Sequence, residues 1–179
     1  MEKNKNTKKI EEVKVVSEKK KDGNNKIVCL IVVLTLIILG IIFFIFFKPK
    51  VTICSKKLDQ SASGYKITNE YKIKSVRGIA KSAELTDIVT SNNNTILAYF
   101  EKQYMDSYSK EKERYGGYVI KTESKDNSVI VNVKVDFSRV NIEKLASDNS
   151  IIIGDIKNNK LSLNGAKKIY TNIGAACEK

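Results

Sequence analysis

The chain has 179 residues, a formal net charge of +12, one Pro and no His. Without His, the Ser/His/Asp and Cys/His nucleophilic schemes and the commonest metal ligand are excluded within this chain. The charge is spread out: residues 1–26 hold nine Lys against five acids, Lys48 and Lys50 add two, and residues 51–179 carry 21 basic against 15 acidic groups. No segment is basic enough to form a nucleic-acid arm, so no nucleic-acid partner is expected.

Residues 1–26 are expected to be a disordered basic tail on the cytoplasmic side. Ile10, Val13 and Val16 recur every three residues, and the alternative is one turn of amphipathic helix against anionic lipid. Residues 27–47, IVCLIVVLTLIILGIIFFIFF, carry no charge, and only Cys29, Thr35 and Gly40 interrupt the Val, Leu, Ile and Phe. At about 1.5 Å per residue the run spans about 31 Å, the thickness of a bilayer's hydrocarbon core. It predicts one transmembrane helix. A cleaved signal peptide would have a shorter apolar region followed by small residues, whereas this run ends in Phe46-Phe47-Lys48-Pro49. Cys54 is not preceded by the small residue that a lipobox requires, because Ile53 stands there. The helix is therefore read as an uncleaved anchor. Seven Lys in the twenty residues before it, against five in the twenty after, favour a cytoplasmic N-terminus and an extracytoplasmic C-terminal domain.

Residues 51–179 are expected to form that domain. In YKITNEYKIK, Tyr65, Ile67, Tyr71 and Ile73 share one face, with Asn69 breaking the row. The preceding VTICSKKL can pair with it through a turn at Gln60–Gly64, and a third strand is predicted over Ile79–Thr86. The period then lengthens: Leu97, Phe100, Tyr104 and Tyr108 mark one stripe of an amphipathic helix, with Asn92–Asn94 as N-cap candidates and Gly116-Gly117 as the stop. A hairpin follows, turning at Lys125-Asp126-Asn127, with Val129, Val131, Val133, Val135 and Phe137 on one face. SRVNIEKLAS predicts a short helical turn. Ser162 can cap a final helix with Ala166, Ile169 and Ile173 inward and Gly174 as its terminator. This order predicts an α+β fold: an antiparallel sheet with helices packed on one face, preceded by one transmembrane helix.

Three cysteines remain to be placed. Cys29 falls in the apolar run and reads as a filler. Cys54 and Cys177 bracket the domain and are the disulfide candidates, since domain termini often lie close together; the alternative is two free thiols that never meet. No C-x-x-C pair exists, so neither a metal site nor a cofactor is expected.

The domain resembles the YehR-like lipoproteins, small bacterial envelope proteins of unknown function. The resemblance rests on CSKKLDQSASGYKITNEYK from Cys54, on the Tyr-rich helix ending in YGGY, on DFSRVNIEKL, which is similar to the family's Asp-aromatic-Ser-basic-Val phrase, and on LSLNGAKK before the final helix. It implies an α+β fold on the outer face of the membrane, and it suits relatives that pair an early with a late cysteine. It brings no catalytic residues. Where family members carry a lipidated cysteine, this chain keeps a membrane helix.

Few residues point to chemistry. Glu101, Asp106, Glu111 and Glu113 alternate with Lys102, Lys110, Lys112 and Arg114, which reads as a solvated helix face. Tyr-Gly-Gly-Tyr lacks the lysine of a phosphate loop. Tyr99, Tyr104, Tyr108, Tyr115 and Tyr118 suit core packing better than a groove. Asn93-Asn94-Thr95 fits a glycosylation pattern that carries little weight in a chain of bacterial character. The expectation is a membrane-anchored binding or structural module and not an enzyme. Its partners would be the lipid bilayer and another envelope protein, a cell-wall polymer or anionic lipid. One alternative is a signalling protein with the basic tail as its cytoplasmic output. The other is an Asp/Glu-dependent hydrolase, which would need two carboxyls converging in a cleft with raised pKa values.

Overall fold

The computed structural model describes residues 22–178. The expected disordered tail lies outside the described residues up to position 21. The chain divides into two units, 1–43 and 44–179, each described by itself.

Helix α1, Asp22–Phe47, starts five residues before the apolar run. Its segment Val28–Phe47 has a mean hydropathy of 3.4, and none of it is buried. This helix is long and apolar enough to cross a membrane. The Thr35 hydroxyl donates to the carbonyls of Ile31 and Val32 at 3.0 and 2.8 Å, so the polar group in mid-helix is satisfied by its own turn.

The second unit is an α+β domain. Its elements are β1 (Lys50–Gln60), β2 (Tyr65–Val76), β3 (Ile79–Ser91), α2 (Asn94–Tyr115), β4 (Tyr118–Lys125), β5 (Ser128–Asp136), α3 (Ile142–Asp148), β6 (Ile156–Lys157), β7 (Lys160–Leu161), α4 (Leu163–Asn172) and β8 (Ala176–Cys177). Six strands form one sheet in the order β4-β5-β3-β2-β1-β8, with every neighbouring pair antiparallel. Strand alternation gives the sheet two unlike faces. Ile73, Ala83, Val131, Val133 and Val135 are buried beneath the helices. The other face carries Lys72, Glu84 and Lys134 in register across β2, β3 and β5. Helix α2 packs on β3, β4 and β5, and α4 packs on β1, β2 and β3.

Local chemistry sets the joints. Arg77 and Gly78 both have positive φ, 53° and 75°, which matches the twist of a two-residue hairpin between β2 and β3. Asn93 caps α2 by accepting from Thr95 N at 2.9 Å, and Ser162 caps α4 by accepting from Gly165 N at 3.0 Å. Gly116 and Gly117, at φ 75° and 78°, end α2.

Two expectations are corrected, and one hairpin is added to them. The third strand runs past Thr86 to Ser91, because it stays paired with β2 to Ser91 and with β5 to Thr90; the apolar row that marks it in the sequence is broken by Asp87 on the buried face. In α4 the inward position belongs to Tyr170, 5% exposed, while Ile173 is 50% exposed, because the helix closes just before Ile173, its C-cap residue. The small hairpin β6–β7 had no apolar alternation to announce it; Asn158 and Asn159 at positive φ make its turn.

Candidate functional site

Two of the buried polar side chains, Asn69 and Asp87, lie where α2 crosses the sheet. Asn69 and Asp87 are direct register partners on β2 and β3, both on the face under the helices. Asp87 is 0% exposed. Its Oδ1 accepts from Asn69 Nδ2 at 2.6 Å, and its Oδ2 accepts from the Tyr108 hydroxyl on α2. Asn69 Nδ2 also reaches the Tyr104 hydroxyl at 3.4 Å. Burial pushes the Asp87 carboxyl above the ordinary carboxylate range, against the two donors, which hold it down.

The tyrosines surround this pair. Tyr71 stacks on Tyr170 of α4 at 4.6 Å between centroids, and Tyr104 lies parallel to Tyr108 at 6.3 Å. Tyr108 and Tyr118 are buried and Tyr104 and Tyr115 half-buried, so four of the five flagged tyrosines pack as core or near-core residues. Tyr99 differs: it is 62% exposed, and its ring meets Phe100 edge-on at 5.3 Å.

Glu111 departs from the sequence reading. Asp106 and Glu113 are exposed as expected, but Glu111 follows Tyr108 by three residues on the inward stripe and is half-buried. Burial raises its carboxyl above the usual range, and the neighbouring Tyr118 hydroxyl offsets part of that rise. Two carboxyls with raised pKa values therefore lie on the inner side of the domain; Glu111 reads from the sequence as part of a solvated face, and Asp87 was not singled out. The signal available for Asp87 was the polar pair itself, since Asn69 visibly interrupted its row and a second polar residue on the neighbouring strand could answer it.

This arrangement can fix the register of β2 against β3 and seat α2. Both oxygens of Asp87 already accept from protein donors, and among the described residues no buried side-chain polar atom lacks a partner. Among the described residues no group of three or more Cys, Asp or Glu is placed to hold a metal ion. Glu111 borders one open recess, of about 450 Å³ along α2, together with Asp106, Lys110 and Arg114; other recesses lie away from the Asn69–Asp87 pair. One of about 510 Å³ runs along the β4–β5 edge and includes Glu84, Lys112, Val119, Lys134 and Arg139. A smaller one, about 360 Å³, is formed by Tyr65, Thr95, Ile96, Tyr99 and Phe100.

At the start of β1, Cys54 is bonded to Cys177 of β8, the two candidates brought together. They are register partners, and Ile53 O accepts from Glu178 N at 2.9 Å beside them. The cysteines thus occupy a non-hydrogen-bonded position of the ladder, where opposed residues come closest. Cys54 is fully buried, and Cys29 is free.

Fold and site together define a small disulfide-closed α+β domain that follows one helix able to cross a membrane. No protein-family model matches the chain, and no curated protein matches it. Among solved structures it is similar to the YehR protein of E. coli, with 14% identity over 74% of this chain and 93% of that one and a TM-score of 0.46. It is also similar to a protein from Streptococcus pneumoniae TIGR4, with 14% identity over 73% of this chain and 86% of that one and a TM-score of 0.38. At these scores the fold stands on its own strands and helices.

Proposed function

We propose that this chain is a single-pass, membrane-anchored envelope protein whose C-terminal domain stands outside the membrane as a binding or structural module. The observation that carries the reading is the wholly exposed apolar helix Val28–Phe47, followed after Lys48 and Pro49 by a strand that is tied to the last by a disulfide. A disulfide closing residues 54–177 suits an oxidising compartment, which supports an extracytoplasmic domain and a cytoplasmic N-terminus. The sequence resemblance to YehR-like lipoproteins implies the same side.

A non-enzymatic role is supported by the state of the interior carboxyls. Asp87 has no exposed surface and no unoccupied oxygen, so it does not face a substrate beside Glu111, which alone of the two borders a recess. A hydrolytic pair needs both carboxyls facing a substrate.

Expression of the full chain tests the reading. After an alkaline carbonate wash the protein should stay with the membranes, and protease added to intact spheroplasts should remove the domain. Release into the wash, or a domain cut only after the membrane is opened, would contradict it.

A further inference from the structure

The charges of the domain are unevenly divided between the two ends of its sheet. Strand β1 begins at Lys50, so that end also holds the β2–β3 turn, the β5–α3 loop and, through Leu163 N to Gly78 O at 2.8 Å, the β6–β7 hairpin before α4. Lys48 and Lys50 lie where the chain enters the sheet. Arg77 and Lys81 flank the β2–β3 turn, Arg139 projects from the β5–α3 loop, and Lys157 and Lys160 stand on the hairpin. All are exposed, and none forms a salt bridge with a carboxylate among the described residues. Lys160, Lys81 and Ser138 line one small surface recess, which places hairpin, turn and loop side by side.

Three of the acids near this end are committed. Asp136 accepts from Ser138 N and Oγ, Asp148 pairs with Arg114 at 2.7 Å, and Asp155 pairs with Lys168 at 2.6 Å. Glu113, Glu143 and Glu178 are exposed and in no salt bridge among the described residues, so the seven cations leave this end with an excess of positive charge and not a wholly positive face. The opposite end is balanced: Lys66 pairs with Asp59 at 3.2 Å, and Lys125 stands next to Asp126 in the β4–β5 turn.

We infer that the Lys50 end of the domain is a docking surface for anionic lipid headgroups. The inference deepens the membrane-anchored reading and rests on it. Three residue steps from Phe47 to Lys50 reach at most about 11 Å. Full extension exceeds the Debye length of about 8 Å at physiological salt, so these cations act on a charged surface when the joint is shorter than full extension, and the attraction weakens with salt. Within the domain's own unit the Arg77 guanidinium lies 5.0 Å from the Phe47 ring centroid, which brings the β2–β3 turn to the end of the apolar run. A lipid surface suits the site because the cations are spread over four separate chain segments, as a plane requires, and do not converge on one pocket.

The test uses the full chain in bilayer nanodiscs of phosphatidylcholine or of phosphatidylglycerol, with acylation of each lysine followed by mass spectrometry. Lys81, Lys157 and Lys160 should react about fivefold or more slowly on phosphatidylglycerol, and high salt should abolish the difference. Lys66 and Lys125 should react alike on both lipids. The variant Arg77→Gln/Arg139→Gln keeps every reporter lysine and should lose most of the lipid dependence while unfolding at the same temperature. Equal reactivity on the two lipids, or an unchanged effect in the variant, would overturn the inference with the anchor left standing. Equal slowing by soluble poly(glycerol phosphate) over phosphatidylcholine would also overturn it, assigning the surface to a wall polyanion. Failure of the chain to enter either bilayer would remove the anchored reading and the inference together.

Discussion

Asp87 is a carboxyl at a position that strand alternation reserves for an apolar side chain, and its surroundings predict how it responds to change. Replacing Tyr108 with Phe removes the donor to Oδ2 and leaves a buried oxygen without a partner, at a cost of about 1–3 kcal/mol in denaturant unfolding. Asp87→Asn should cost less than Tyr108→Phe, because its amide can accept from Asn69, donate to the Tyr108 oxygen and carry no buried charge. The pH dependence has a definite sign. Burial raises the folded-state pKa of Asp87 above its ordinary value of 3.8, so the folded chain holds its proton more tightly than the unfolded one. Its contribution to stability is full below that value and is lost as pH rises through the folded pKa. Glu111 acts in the same direction from 4.5. Unfolding midpoints of the Asp87→Asn variant should vary less with pH across this window than those of the parent. An unchanged pH slope would show that Asp87 does not carry it.

At the level of elements, the stop of α2 and the closure of β1 by β8 are the joints most open to test. A Cβ on Gly117 would stand 2.7 Å from Val140 Cγ2 and 2.8 Å from Asp136 O, at a φ of +78°. Gly78 has a similar φ, +75°, but nothing within 4 Å. Gly78→Ala should therefore cost about 1–2 kcal/mol from the backbone alone, and Gly117→Ala distinctly more, because the β5–α3 loop must move. Equal losses in urea unfolding would refute the steric account. Cys177→Ser removes the tie between β1 and β8. Closing a loop of this length is worth about 2–5 kcal/mol, and the variant's unfolding should no longer respond to reductant. The elements themselves were largely legible, because each carries its own period: Tyr65, Ile67, Tyr71 and Ile73 alternate by two, and Leu97, Phe100, Tyr104 and Tyr108 step by three and four. What escaped depended on contacts distant in sequence. Glu111 looks like any charge on a helix until Tyr118 and the sheet are set beside it. Asp87 looks like the end of a strand until Asn69 and Tyr108 answer it. Ile173 reads as inward until the helix is seen to close before it and leave Tyr170 in its place.

For the whole molecule, the apolar helix sets the location of everything else. Its eighteen strongly apolar residues favour insertion by about 5–11 kcal/mol, and one central Arg opposes it by about 3 kcal/mol. Ile37→Arg alone should leave the protein in carbonate-washed membranes, whereas Leu34→Arg/Ile37→Arg/Ile41→Arg should release it. The pairing of an uncleaved helix with a disulfide-closed domain is the central claim, and one measurement reaches both halves. Membranes prepared with a thiol trap would give the intact mass of the chain and, after digestion, the state of Cys54 and Cys177. The account predicts a full-length chain with Cys54 and Cys177 bridged and Cys29 trapped as a thiol. A chain beginning at a diacylated Cys54, or a full-length chain with both cysteines free, would contradict it.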